Sequence, residues 1–220
     1  TLHGTDITLV GRDKTYSPVV TFSMEESDIL TAVSYNLKEE TYKNFNISKP
    51  IEVIHNFVDV ERFHKKPVDA FKKLIAPNNE KIIVHASNFR KVKRVEDVVN
   101  VFDKVIKKVP SKLLLIGDGP ERPAIEKLCR DLGNCDHVRF LGKQEAIEEI
   151  LSVCDLFIMP SESESFGLAA LEAMACAAPV ITSNTSSMPE VAGDAALLVD
   201  PFKPEEIAAA LVKLCNDDDL

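Results

Sequence analysis

No run of this chain is apolar over the about twenty residues that a membrane-crossing helix needs, and the first residues lack the basic and apolar segments of a secretory signal. These absences argue against stable membrane insertion and make the cytosol the expected location. No CxxC pair occurs either. The five cysteines, Cys129, Cys135, Cys154, Cys176 and Cys215, are odd in number and several sit in apolar stretches. They read as reduced core or surface thiols rather than a metal or redox site. A basic excess is missing as well: the net charge of -9 excludes a general nucleic-acid surface, which would show many phosphate-binding cations. A local basic site for a small phosphorylated ligand stays open. No His, Asp or Glu cluster has zinc spacing, and no internal D-x-D would hold a metal on a nucleotide diphosphate. Asp217 to Asp219 read as a frayed acidic helix end.

What the chain does contain is enough apolar residue, 45% of 220, for one large α/β domain or one domain and part of a second. Strand-length apolar runs at 29–33, 51–54, 82–86, 113–116, 138–141, 156–159, 180–182 and 197–199 alternate with helical periods. That alternation predicts Rossmann-like parallel sheets with helices on both faces. Val98, Phe102, Val105 and Val109 give one helix an apolar face, and Asp103, Lys104, Lys107 and Lys108 its solvated one. The polar stretch 56–79, with Pro67 and Pro77, is the expected domain junction. Residues 1–55 then supply at most two strands of a partial domain, and 56–220 a nearly complete one. The chain begins at Thr1, not methionine, with no strand before TLHGTD to hold that loop, and so reads as a fragment.

Four segments can carry chemistry. PSESESFGLAALEAMAC follows the apolar run LFIM and turns helical near Phe166. Ser165 is expected to cap that helix, leaving the Phe166, Gly167 and Leu168 amides free at a positive end that suits an anion. Gly167, without a Cβ, would let a ligand approach the backbone. Glu164 and Glu172 fall on different faces and would address different parts of one ligand. SNFRKVKR, after IIVHA, places Arg90, Lys91, Lys93 and Arg94 at a strand-to-helix turn where they can neutralise a diphosphate. His3 precedes a glycine near the start. GDGPE at 117–121 is a poor dinucleotide loop: Pro120 occupies the turn and no third glycine follows, so it reads as a structural turn and a dehydrogenase is excluded.

Glu164, seven residues and Glu172, with SFGL between, resemble the E-x7-E motif of the retaining GT-B glycosyltransferases. The resemblance implies that Glu164 contacts the donor sugar, the Ser165 to Leu168 backbone the sugar or phosphate, and Glu172 the ribose diol. It places Lys93 on the diphosphate and His3 across the cleft. The arginine expected with Lys93 is replaced by Asn88, so Arg90 or Arg94 would substitute. His3, Lys93 and Glu164 are the expected catalytic residues. Asn88, Arg90, Arg94, Ser165, Phe166, Gly167, Leu168 and Glu172 are the expected donor-binding ones, with no metal and no cofactor.

Up to about Thr182, TLHGTDITLVG, TAVSYNLKEETY, HNFVDVERF, SNFRKVKRVEDV and ESFGLAALEAMAC are similar to the subgroup that joins N-acetylglucosamine to L-malate in bacillithiol synthesis. The resemblance implies UDP-N-acetylglucosamine as donor, the small carboxylate L-malate as acceptor, and retention by front-face transfer. It divides the chain into the end of an N-terminal acceptor domain, 1–55, and a C-terminal donor domain, 56–220, lacking its final helix. After Thr182 the sequence is closer to other subgroups, with Ser186, Ser187 and Ala177 where glycines are usual. The alternatives are a transferase of the same family using another nucleotide sugar and acceptor, or a truncated or chimeric, non-catalytic nucleotide-sugar scaffold. A homo-oligomer is left open.

Overall fold

The computed structural model describes residues 1–4, 7, 11, 13–67 and 69–216. Thr5, Asp6 and the acidic end Asp217 to Asp219 therefore lie outside the described residues. In chain order the elements are α1 (Ser17–Glu25), β1 (Leu30–Ala32), α2 (Tyr35–Asn44), β2 (Ile51–Val53), α3 (Asp69–Ile75), β3 (Lys81–Ala86), α4 (Val95–Ile106), β4 (Ser111–Ile116), α5 (Arg122–Asp131), β5 (Val138–Gly142), α6 (Ile147–Val153), β6 (Leu156–Met159), α7 (Leu168–Ala175), β7 (Val180–Ser183), α8 (Met188–Ala192), β8 (Leu197–Val199) and α9 (Pro204–Cys215). Every expected strand is present. The short helix α3 falls inside the stretch read as an irregular junction.

β1 and β2 pair in parallel, and Leu2 bridges to Ala32 beside them. The other strands form one six-stranded sheet in the order β5-β4-β3-β6-β7-β8. All its pairings are parallel. Runs of β-branched and leucine residues buried on both sides make these strands, as parallel sheets covered by helices require. Alternate residues go to opposite faces. Ile83, Leu113, Leu115, Ile158 and Ile181 pack with α4, α5 and α9, while Ile82, Val84, Leu114, Phe157 and Val180 pack with α6, α7 and Met188 of α8. A third apolar cluster joins Leu2, Leu30, Leu37 and Ile51 to Phe166.

The helix α4 buries Val95, Val98, Val99, Val101, Phe102 and Val105. On its outer face Lys107 pairs with Asp103 at 2.5 Å and Lys104 pairs with Glu205 of α9. All five cysteines are free, Cys135 exposed and the others buried. Burial pushes the Cys129 and Cys215 thiols up to about 11, which leaves them protonated and unreactive. Among the described residues no helix is long and apolar enough to cross a membrane, and no group of His, Cys, Asp and Glu could hold a metal ion.

Candidate functional site

The sheet opens where its strand order reverses. The ladder between β3 and β6 ends at Val84 with Phe157. Beyond that pair β3 stays with β4 as far as Ala86 with Ile116, and β6 stays with β7 as far as Met159 with Thr182. The two strands therefore part at their carboxyl ends, the position at which open α/β sheets bind ligands. From β3 leaves the turn 87–94, and from β6 the loop 160–167. The two are tied where the Glu162 amide donates to the Val92 carbonyl at 2.8 Å.

Above this opening lies a cleft of about 680 Å³, a size that accommodates small ligands and cofactors. One wall is Asn88, Arg90, Lys91, Val92 and Lys93, and the second Ser163, Glu164, Ser165 and Ser186. The third is Gly4 with Asn36, Leu37 and Glu40 of α2. The cationic turn and the glutamate loop, far apart in the chain, therefore share one cavity. At its centre Lys93 Nζ donates to both carboxylate oxygens of Glu164, each at 2.7 Å. The two side chains are only 17% and 9% exposed. Arg90 and Lys91 are exposed on the same wall, and neither has an ion-pair partner among the described residues.

The cationic turn is held from outside by GDGPE. The Phe89 amide donates to the Asp118 carbonyl at 3.0 Å, and the Glu121 amide donates to the Phe89 carbonyl at 3.0 Å. Gly117 has φ +118°, and a Cβ there would lie 1.8 Å from the Ser87 carbonyl oxygen; at Gly119 a Cβ would lie 2.6 Å from that of Phe89. These glycines let two backbones touch, so GDGPE is a structural brace beside the cleft.

Several expected site residues are placed differently. Arg94 turns away: its guanidinium pairs with Asp97 at 2.9 Å and stacks over the Phe202 ring at 4.6 Å. Ser165 does not cap α7. The cap position is Gly167, with φ 93° and no side-chain cap, and the helix starts at Leu168 rather than near Phe166. The Ser165 carbonyl instead accepts from Ser34 Oγ at 2.7 Å. Gly167 is needed for its left-handed backbone and for Met188, whose Sδ would stand 2.5 Å from a Cβ there. Phe166, expected beside the ligand, is buried with Leu2 and Leu30. Phe166, Gly167, Leu168 and Glu172 are not among the residues lining the cleft.

Glu172, four residues into α7, instead lies near Arg62 and Glu148 of α6. Burial raises its carboxyl above the ordinary range, with Arg62 opposing and Glu148 reinforcing the shift. His3 is exposed and is not among the lining residues either, although its neighbour Gly4 is. A Cβ on Gly4 would stand 2.6 Å from Ser165 Cβ, so the two walls touch at that point.

The sequence reading missed the residues that fasten the walls together. Ser34, fully buried, accepts from the Leu37 amide at 3.1 Å while donating to Ser165. Glu190 of α8 accepts from the Tyr35 amide at 2.9 Å and bonds His55 Nε2 at 2.7 Å, so a carboxylate from the far side caps the start of α2. The loop after β7 also holds the glutamate loop. Glu164 N donates to Ser186 Oγ at 2.9 Å, and Ser187 Oγ donates to the Glu164 carbonyl at 2.9 Å. Ser34 before an apolar-periodic stretch was a legible cap signal, but its second bond was not.

Of the three positions where the resemblance implies glycines, Ala177 and Ser186 have φ of 54° each, whereas Ser187 has φ -77°, which any residue adopts. Left-handed backbone at the first two explains the glycine preference there. Ala177 follows the end of α7, where the Ala178 amide closes on the Ala173 carbonyl at 3.0 Å. Ala177→Gly is expected to raise stability by about 0.5–1 kcal/mol, read as a higher urea midpoint. An unchanged or lower midpoint would show that the alanine is unstrained.

A family model described as glycosyl transferases group 1 matches residues 68–220. The chain is 43% identical over 223 residues to the N-acetyl-alpha-D-glucosaminyl L-malate synthase of Bacillus anthracis, an alignment covering 100% of this chain and 58% of that protein. It is 32% identical over 160 residues to a D-inositol 3-phosphate glycosyltransferase of Corynebacterium kroppenstedtii, covering 67% of this chain and 36% of the relative. Among solved structures, the sucrose-phosphate synthase of Thermosynechococcus elongatus superposes with a TM-score of 0.83 at 26% identity, over 93% of this chain and 53% of that one. The Anabaena protein HepE, in complex with UDP and glucose, superposes with a TM-score of 0.85 at 20% identity, over 94% and 58%. The chain thus spans about half the length of these relatives.

Proposed function

The chain belongs to the glycosyl transferases group 1 and has their GT-B fold, and from that premise we propose that it forms the donor site of a retaining transferase that moves N-acetylglucosamine from UDP-N-acetylglucosamine to L-malate. One observation carries the reading: the cationic turn and the Glu164 loop converge on a single cleft at the switch point of the sheet. In this reading residues 56–220 bind the donor and 1–55 contribute to the acceptor side. Lys93, with Arg90 rather than Arg94, takes the diphosphate, and Asn88 lies beside it. Glu164 exchanges its bond with Lys93 for hydroxyls of the sugar, and the cations do the work a divalent metal does elsewhere.

The acceptor hydroxyl then attacks on the face that the leaving diphosphate vacates and gives its proton to the departing diphosphate oxygen, so the configuration is retained without a protein nucleophile. The identity to the Bacillus anthracis synthase supports this donor and acceptor, and the HepE complex supports UDP. In the same reading Glu172 holds the ribose and His3 the sugar, both from outside the residues that line the cleft. Titration calorimetry with a panel of nucleotide sugars tests the reading. UDP-N-acetylglucosamine is expected to bind most tightly, and L-malate to be the acceptor to which its sugar is transferred. Tighter binding of another nucleotide sugar would assign a different donor, and no heat with any UDP compound would remove the reading.

A further inference from the structure

A buried polar side chain sits directly under the cleft. His85, the fifth residue of β3, is fully buried on the face that elsewhere carries Ile83, Leu115 and Ile158. Burying an imidazole among apolar groups is unfavourable unless both nitrogens are bonded. Both are. Nδ1 lies 2.8 Å from the Ile158 carbonyl oxygen, and Nε2 lies 2.8 Å from Ser87 Oγ. A carbonyl can only accept, so Nδ1 carries the proton, and the neutral Nε2 accepts from the Ser87 hydroxyl.

The place of these bonds is what matters. His85 and Ile158 are each one residue beyond Val84 and Phe157, where the backbone ladder between β3 and β6 stops. The ring therefore replaces a missing ladder bond at the point where the sheet opens. Its other end holds Ser87, the first residue of the cationic turn. Through Ile158 the ring is tied to the strand that leads into the Glu164 loop, and the Phe89 ring packs beside it at 6.4 Å.

We propose that His85 and Ser87 are positioning residues, a strut across the parted strands that holds the cationic turn in register with the Glu164 loop and thereby sets affinity for a pyrophosphate-bearing ligand. The inference rests on the cleft being a nucleotide-diphosphate site. UDP alone is the probe, titrated by calorimetry against the wild-type protein, Ser87→Ala, His85→Asn and the double variant, with melting temperatures recorded for each. Asparagine keeps a donor near the Nδ1 position for Ile158 and removes the Nε2 partner of Ser87.

Each single variant is expected to weaken UDP binding by about five- to tenfold, the loss one ordering hydrogen bond can transmit. The double variant should bind no worse than the weaker single one, since both remove the same bond. A merely structural role would lower melting temperatures but leave the UDP affinity of the folded protein unchanged. Wild-type affinity in Ser87→Ala overturns the strut, as does a double variant whose losses multiply; should His85→Asn fail to fold, Ser87→Ala decides. Wild-type protein that binds no UDP overturns the reading of the cleft, and the strut with it.

Discussion

Lys93→Met is expected to lower stability by about 3 kcal/mol and to weaken UDP binding by about ten- to a hundredfold. The stability loss comes from Glu164, whose side chain is only 9% exposed and whose carboxylate is bonded by Lys93 through both oxygens at 2.7 Å. Taking away the ammonium leaves a charge with little water and, among the described residues, no other ion-pair partner. Glu164→Gln in the same background should restore most of the stability, because an amide is less costly to bury than an unpaired carboxylate. It should not restore UDP binding, because the cation is still missing. Glu164→Gln alone separates the two roles: Lys93 is freed, and UDP, which has no sugar for Glu164 to hold, is expected to bind several-fold more tightly. Urea midpoints and calorimetry on the four proteins form a complete double-mutant cycle. Unchanged UDP affinity in Lys93→Met would remove the cationic turn from the phosphate site.

Acid is expected to destabilise the protein before its ordinary carboxylates titrate. Burial holds the His85 imidazole down to about 4 from 6.5; the hydrogen bond to Ile158 opposes this and the charge of Lys93 adds to it. Above pH 6.5 the ring is neutral in both folded and unfolded chains and contributes no pH dependence. Between 6.5 and about 4 the unfolded chain binds a proton that the folded one does not, so stability falls as pH falls, by about 3 kcal/mol across the window. That is a large part of the about 5–15 kcal/mol that usually holds a domain folded. Glu172, whose carboxyl is raised chiefly by burial, works in the opposite sense, since protonation relieves its burial as pH falls. Urea midpoints from pH 7 to 4.5 should therefore drop more steeply for the wild type than for His85→Asn. Parallel profiles would show that His85 is not the titrating group.

Much of this was legible in the chain. IIVHA, LLLI and LFIM are short, dense and β-rich, and a strand is their simplest local solution, so the six strands of the main sheet and their parallel pairing followed from pattern alone. The meeting of SNFRKVKR with ESFGLAALE on one cleft was expected from the resemblance to the retaining GT-B transferases; their positions after strands gave only the end of the sheet on which each would lie. The start of α7 was read wrongly because a serine at Ser165 is a common cap, whereas the left-handed Gly167 with Met188 packed against it is a tertiary matter. Arg94 and Lys93 are adjacent and chemically alike. Only the 3-10 turn at Lys91–Lys93 and the left-handed backbone of Arg94 point one to Glu164 and the other to Asp97 and Phe202.

By itself the sequence determined which segments are strands, the sign of charge at each turn, and the absence of metal-binding spacings, because these depend on residues a few positions apart. Tertiary structure decided which cations face the cleft, that Glu172 sits toward α6, and that His85 bridges the parted strands. The physical reason is range. Lys93 with Glu164, His85 with Ile158 and Ser34 with Ser165 are contacts across 71, 73 and 131 residues, and no local periodicity encodes which side chain meets which once the helices have packed.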